Sequence, residues 1–177
     1  MGFDECLAIV LKHEGSTFEN DPNDQPTKFG IIADDITLYR NIPNEPATEE
    51  DIRDLTLTEA RMIYKKLYWD AMRLDEVTHP LIQELLFDEG VLSGVGTAIM
   101  FMQQVLSLTD DGVMGPQTLL AINAINDDET IRKRFVVEMQ LHYCDICMSN
   151  PKKLKYLKGW ISRTEDLLML PASAAVH

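Results

Sequence analysis

The sequence predicts an all-α protein with about six to eight helices and no substantial sheet. Apolar residues recur at helical spacing along most of the chain, and capping residues precede many of these stretches. No segment alternates apolar and polar residues in the way that indicates a strand. The chain has 177 residues, of which 45% are hydrophobic, so it is long enough to bury a core without metal ions or disulfides.

The first predicted helix spans residues 3–14, and Gly15 provides its C-terminal stop. Its apolar residues fall on one helical face; they are Phe3, Cys6, Leu7, Val10 and Leu11. From Ser16 to about residue 44 the helical pattern gives way to Asn, Asp, Pro and Thr, and residues 20–26 predict consecutive turns. A loop of this length indicates a functional surface.

Helical signals resume after this loop. Capping-box spacing occurs twice, in Thr48 with Asp51 and in Thr56 with Glu59. Further helices are predicted from Pro80 to about Glu89, from Gly94 to Leu108, from Pro116, from Asp127 or Asp128 to about Met148, and from Asn150-Pro151. We divide the chain into a first region, 1–93, a second helical region, 94–170, packed with the first as one compact unit, and a flexible tail, 171–177.

Composition and charge exclude several classes of function. The formal net charge of −13 argues against a nucleic-acid partner, because nothing offsets the repulsion of phosphates. No segment reaches the run of about 18 apolar residues that a membrane span needs. Asp4 and Glu5 stand where a secretory signal would carry basic residues, so we expect synthesis in the cytoplasm without a classical signal peptide.

The sequence predicts neither a metal site nor a cofactor. The cysteines form an odd set, Cys6, Cys144 and Cys147, and the C-x-x-C spacing of the last two lacks the second half of a zinc site. We interpret them as packing or surface thiols. No two histidines have the i, i+4 spacing of helical metal ligands, among His13, His79, His142 and His177. A glycine-rich phosphate loop is also missing.

Glu14 is the residue with the strongest chemical signal. It follows Val10 and Leu11 by one turn, which places its carboxyl near the middle of the apolar face. Burial against that face and the negative end of the helix dipole both favour the protonated form of the carboxyl. Glycoside hydrolysis needs such an acid to protonate the leaving oxygen. The alternative is a glutamate that ends a helix and points into water.

Candidate partners for Glu14 lie in the loop that follows it. Asp21, Asp24 and Thr27 are within a short chain distance, and a second carboxylate, or a hydroxyl that positions water, would complete the mechanism. Ordinary turn residues are the alternative.

Three residues farther along the chain are also candidates. Tyr68 and Trp69 have the chemistry to stack on sugar rings, with core packing as the alternative. Asp88 lies among apolar residues, and we favour a structural hydrogen-bond anchor over a cleft residue at this position.

Several strings of residues occur in a characteristic order. His13-Glu14-Gly15 is followed by Asn20-Asp21-Pro22-Asn23-Asp24, by Thr27 and by Phe29-Gly30-Ile31. This order resembles the opening signature of the family 108 glycoside hydrolases, the N-acetylmuramidases of phage lysis cassettes and bacterial genomes. Similar strings continue in 54–56, 59–60, 63–64, 68–70, 86–88, 93–94 and 103–104. Residues 111–118, Asp-Gly-Val-Met-Gly-Pro-Gln-Thr, resemble the peptidoglycan-binding segment of that family.

The resemblance implies a lysozyme-like helical fold with Glu14 as the catalytic acid. It also implies hydrolysis of the β-1,4 bond between N-acetylmuramic acid and N-acetylglucosamine in bacterial peptidoglycan. In this interpretation Asp21 or Asp24, with Thr27, stabilises the oxocarbenium-like state or orients water, and region 94–170 binds peptidoglycan. We take Trp69, Tyr68 and Gly30 as substrate-binding candidates.

The chain departs from the family pattern around the expected cleft. Ser16 stands where a second glycine is usual, and the loop before Thr27 is shorter and lacks a glycine pair. Leu92 replaces an asparagine that usually precedes Ser-Gly. A non-catalytic wall-binding or phage structural module with a decayed cleft is therefore the alternative, and a lytic transglycosylase is a third possibility.

The expected partner is the glycan strand of bacterial peptidoglycan, with no nucleic acid and no membrane span. We expect a monomer that acts at the cell wall after a holin or another device releases it.

Overall fold

The computed structural model describes residues 2–20 and 25–170, and over these residues the chain is all-α, which confirms the predicted fold class. Nine α-helices lie in these ranges: α1 Phe3–Glu14, α2 Ala33–Arg40, α3 Glu49–Asp54, α4 Leu57–Tyr64, α5 Pro80–Ser93, α6 Val95–Val105, α7 Pro116–Asn123, α8 Asp128–Ser149 and α9 Leu154–Met169. A π-helical turn spans Lys65–Trp69, and 3₁₀ turns span Leu74–Glu76 and Pro151–Lys153. None of the helices in the described ranges is long and apolar enough to cross a membrane.

The contacts divide the chain into a first unit, Gly2–Ala71, and a second unit that starts at Met72. The division falls before α5 because that helix packs mainly against α6 and α8. The organisation that we predicted from the sequence, with a boundary between residues 93 and 94, stays a prediction. The predicted flexible tail, 171–177, lies outside the described residues.

The first unit contains a helix that the sequence pattern did not predict. The predicted α1 buries Phe3, Cys6, Leu7 and Val10, but α2 lies inside the segment that we expected to be a loop. It raises the helix count above the predicted six to eight. The residue before it, Ile32, has no side-chain oxygen to cap the helix; instead Asp35 Oδ2 accepts the Ile32 amide proton at 3.1 Å.

Helices α3 and α4 begin at the two predicted capping boxes. Thr48 Oγ1 accepts a hydrogen bond from the Asp51 amide, and Thr56 Oγ1 accepts one from the Glu59 amide. α4 then continues directly into the π-helical turn Lys65–Trp69.

The second unit is built around α5, whose residues 81–90 are all buried. Buried polar groups from three helices meet in this core. Arg163 Nε of α9 donates to both carboxyl oxygens of Asp88 at 2.9 Å, and Tyr143 Oη of α8 donates to Glu89 Oε2 at 2.6 Å. Asp88 therefore anchors α5 to α9, in agreement with the structural role that we favoured for it.

Candidate active site

A tight turn at Phe29-Gly30 lies at the centre of the candidate site. The backbone groups of Lys28 and Ile31 exchange two hydrogen bonds, at 3.2 and 3.0 Å. Phe29 and Gly30 both have positive φ angles, 56° and 74°. Two central residues with positive φ form the type I′ turn of a two-residue hairpin, in which glycine is favoured. The turn is fixed from α4, because Tyr64 Oη donates to the Phe29 carbonyl at 2.7 Å.

Glu14, the last residue of α1, packs its side chain against this turn. A Cβ atom built on Gly30 would lie 2.7 Å from Glu14 Oε2 and 2.9 Å from Tyr64 Oη. The Glu14 side chain is half-buried, whereas Tyr64 is fully buried. One carboxyl oxygen, one phenol and the backbone of the turn thus converge on the same point.

Tyr68 and Asp35 provide a second pair of polar groups in this unit. Tyr68 Oη donates to Asp35 Oδ1 at 3.0 Å, and both side chains are half-buried. Burial and the negative charge of Asp35 raise the pKa of the Tyr68 phenol well above its ordinary value, and the charge of Glu14 raises it further. Tyr68 therefore lies within electrostatic reach of both carboxylates and stays a neutral phenol.

The pKa of the Asp35 carboxyl is raised above its ordinary value. Burial raises its pKa, hydrogen bonds from the Ile32 amide and Tyr68 lower it, and the charge of Asp34 raises it. Neither Asp35 nor Tyr64 was among the site residues that we predicted from the sequence. An acid at the third position of a helix is a common capping feature, and it gives no hint of a partner 33 residues away.

Thr27 closes the loop that follows Glu14. Its amide and carbonyl pair with those of Glu19 at 2.9 and 2.8 Å, which forms an isolated antiparallel bridge between the two residues. Thr27 Oγ1 is shielded from solvent and has no hydrogen-bond partner among the described residues. Asp21 and Asp24, the other candidates in this loop, lie outside those residues.

The predicted substrate-binding aromatics have different surroundings. Trp69 is 1% exposed and its ring meets that of Phe3 edge-on, at a centroid distance of 5.5 Å. A buried ring has no face open to a sugar. Trp69 is therefore a core residue in this structure, which was the alternative to sugar stacking. Tyr68 is half-buried, with its ring centroid 5.6 Å from that of Tyr64. Gly30, the third candidate, lies directly against Glu14.

Within the described ranges, no group of three or more His, Cys, Asp or Glu side chains is placed to hold a metal ion. The polar groups that converge near Glu14 can donate and accept protons and hydrogen bonds, as acid catalysis on a glycan requires.

Comparison with known protein families identifies the chain. Residues 7–94, which include Glu14, Gly30, Asp35 and Tyr68, match the family described as Glycosyl hydrolase 108. The chain belongs to glycosyl hydrolase family 108. C-terminal to the family 108 region, residues 97–165 match a model described as Predicted Peptidoglycan domain. A glycoside hydrolase joined to a peptidoglycan domain is a peptidoglycan hydrolase.

A solved structure of Brucella abortus SagA is similar to this family 108 chain over nearly its whole length. The TM-score is 0.81 at 22% sequence identity, and the match covers 94% of this chain and 91% of that chain. At this identity the likeness shows the fold alone. The comparison with curated proteins found no match.

The peptidoglycan domain of this family 108 hydrolase is organised around Gln103. Its amide nitrogen donates to Asp111 Oδ1 at 2.8 Å, to the Val113 carbonyl at 3.1 Å and to Thr118 Oγ1 at 3.1 Å. Its oxygen accepts the Gly112 amide proton at 2.9 Å. The Gln103 side chain thus joins residues 111–113 to Thr118, and it lines a cavity of about 230 Å³ together with Leu108, Thr109, Asp111, Val113 and residues 115–118.

Proposed function

We propose that this peptidoglycan hydrolase is an N-acetylmuramidase, with Glu14 as its general acid. It cleaves the β-1,4 bond between N-acetylmuramic acid and N-acetylglucosamine. The observation that carries the proposal is the packing of the half-buried Glu14 carboxyl against the Phe29-Gly30 turn, within the region that matches family 108. A carboxyl that packs against the backbone of the turn and the Tyr64 phenol has a fixed orientation. Proton transfer to a glycosidic oxygen requires such an orientation.

In this mechanism Glu14 protonates the leaving oxygen while positive charge develops on the sugar ring. A second group then stabilises this charge or directs water to the anomeric carbon. We assign that role to Asp21 or Asp24 together with Thr27. The Thr27 hydroxyl has no hydrogen-bond partner among the described residues, and this unused hydrogen-bonding capacity supports its part.

The decisive experiment is digestion of purified peptidoglycan with mass spectrometry of the products, for the wild type and for Glu14→Gln. Glutamine keeps the shape of the side chain and removes the proton donor. We expect product release to fall by at least about two orders of magnitude, the usual effect of losing a general acid. Glu50→Gln, an exposed change in α3, is the matched control and should keep wild-type activity. Near-native activity of Glu14→Gln would overturn the assignment.

The same products distinguish the alternative functions. A muramidase leaves reducing N-acetylmuramic acid ends, whereas a lytic transglycosylase leaves 1,6-anhydro ends that are lighter by one water. A non-catalytic wall-binding module would bind peptidoglycan, and neither the wild type nor Glu14→Gln would release a product.

We also propose that the enzyme accumulates in the cytoplasm and acts on the wall after a holin or another device releases it. The net charge of −13 supports this, since a strongly acidic protein stays soluble at high concentration. Co-expression tests it: lysis should require a membrane-permeabilising partner, and lysis by the hydrolase alone would contradict the route.

A further inference from the structure

Asp35 uses both of its carboxyl oxygens inside the protein. Oδ2 accepts the Ile32 amide proton at the start of α2, and Oδ1 accepts the Tyr68 hydroxyl at 3.0 Å. A carboxylate engaged in this way is poorly placed to serve as a base toward a substrate. Its clearest effect is on Tyr68, whose hydroxyl it holds in one orientation.

The orientation of the hydroxyl determines which further hydrogen bonds Tyr68 can make. A phenol has one proton, and here the proton points at Asp35, so the phenol oxygen can only accept further hydrogen bonds. Tyr68 is half-buried, and its ring centroid lies 5.6 Å from that of Tyr64, whose hydroxyl converges with the Glu14 carboxyl at Gly30. The matching groups on a glycan are the sugar hydroxyls and the acetamido N–H, which are donors.

We propose that Asp35 is a positioning residue of this site: it orients the Tyr68 hydroxyl so that the phenol oxygen accepts a hydrogen bond from a hydroxyl or acetamido N–H of the glycan next to Glu14. This inference rests on the proposed function. It adds a residue that our sequence analysis did not single out, and it makes Tyr68 a hydrogen-bond acceptor rather than a stacking surface.

Asp35→Asn isolates this effect. The asparagine oxygen can still accept the Ile32 amide proton, so the start of α2 is kept. Its NH₂ group then faces Tyr68 and donates to the phenol oxygen, which reverses the hydrogen bond and turns the phenol proton outward. Tyr68→Phe removes the acceptor altogether. Asp34→Asn, an exposed change in the same helical turn, is the matched control.

The test compares kcat and KM of the full-length wild type, both single variants, the double variant and the control on soluble glycan strands prepared from peptidoglycan. We expect KM to rise about tenfold in Asp35→Asn and in Tyr68→Phe, with a smaller change in kcat, because one hydrogen bond to substrate is lost. The double variant should resemble Tyr68→Phe alone, since Asp35 acts only through Tyr68. Additive effects, or a loss in Asp35→Asn that Tyr68→Phe does not share, would overturn the proposal.

Binding measurements separate this proposal from the proposed function. In a Glu14→Gln background, calorimetry with the same glycan strands should show affinity weakened about tenfold by Asp35→Asn. If the wild type releases no product but this weakening is found, the muramidase assignment fails and the positioning role stands. If affinity is unchanged by both Asp35→Asn and Tyr68→Phe, the positioning role fails, whatever the wild-type activity.

Discussion

The Glu14 carboxyl occupies the space beside Gly30 that a side chain at position 30 would need. A methyl group built on Gly30 would fall 2.7 Å from Glu14 Oε2 and 2.9 Å from Glu14 Cγ, closer than side-chain carbons approach other atoms. Position 30 therefore accommodates no side chain while Glu14 keeps its place. The φ of 74° at Gly30 is a second and independent reason for glycine there.

Gly30→Ala should impair both the turn and the acid. Positive φ costs an alanine about 1–2 kcal/mol, and the clash displaces Glu14, so we expect a lower melting temperature and a fall in kcat of at least about tenfold. Gly159→Ala is the control, because Gly159 is exposed within α9 and a Cβ there meets nothing within 4 Å. Wild-type turnover in Gly30→Ala would show that the position of Glu14 is not critical.

The two loop acids can be separated by single substitutions. If Asp21 or Asp24 assists Glu14, its Asn variant should lose turnover by about two orders of magnitude at an unchanged melting temperature. A residue that only shapes the turn should tolerate Asn, which favours the same turns. Initial rates on peptidoglycan decide between the two residues. Full activity in both single variants would remove the loop acids from the mechanism.

Gln103 should determine wall binding through the segment that it holds. Gln103→Leu removes the acceptor of the half-buried Gly112 amide and one of the two donors to the Val113 carbonyl, and the loss of each such hydrogen bond costs about 0.5–1.5 kcal/mol. We expect weaker sedimentation with peptidoglycan and a lower melting temperature. Gln104→Leu is the control, since the Gln104 side chain is exposed and donates to Asp110 at 2.9 Å. Equal binding by both variants would contradict the role of Gln103.

Removing one partner of the Asp88–Arg163 pair should destabilise the fold more than replacing both partners with apolar residues. Asp88→Leu removes the carboxylate to which a guanidinium that is only 7% exposed donates, and we expect a loss of about 3 kcal/mol or more in the free energy of unfolding. In Asp88→Leu/Arg163→Met both charges are gone, so much of that loss should be recovered. Urea denaturation measures the difference. A double variant as unstable as the sum of the two single variants would contradict this account.

Glu89 should make stability depend on pH near neutrality. Burial raises the pKa of its carboxyl to about 7, against the lowering effect of hydrogen bonds from Tyr143 and Ser93. Between pH 4.5 and about 7 the folded protein keeps a proton that the unfolded chain has released. The free energy of unfolding should therefore fall as pH rises through this window, by at most about 3 kcal/mol.

Denaturation of Glu89→Gln across the same pH range checks this effect. The variant should lose most of the slope, whereas Glu165→Gln, an exposed change on α9, should retain it. An unchanged slope in Glu89→Gln would assign the dependence to other groups.

Local signals in the sequence predicted much of the fold. The apolar spacing in α1 and the threonine caps of α3 and α4 depend on neighbours within a few residues, so they are visible without a structure. Helix α2 was missed because Ile32, the residue before it, is not a capping type. Its cap comes from Asp35, whose signal was hidden among the acids and turn residues of the segment.

The candidate site was predictable only in part. Glu14 and Gly30 stand in short motifs, and the structure brings them together. The Tyr68–Asp35 hydrogen bond joins residues 33 positions apart, and no periodicity links them. For Trp69, an aromatic near the end of a helical pattern is equally compatible with sugar stacking and with the core, and only its burial decides between these interpretations.

The π-helical turn Lys65–Trp69 limits the changes in length that this segment tolerates. Its backbone bond runs from the Asp70 amide to the Lys65 carbonyl, five residues apart, so the turn holds one residue more than an α-helical turn. That extra residue lets Tyr64 and Trp69 both point into the core while Tyr68 faces Asp35. A one-residue deletion here would restore a regular helix but shift the aromatics out of register, so relatives with the same site should conserve the spacing between Tyr64 and Trp69 even where residue types differ.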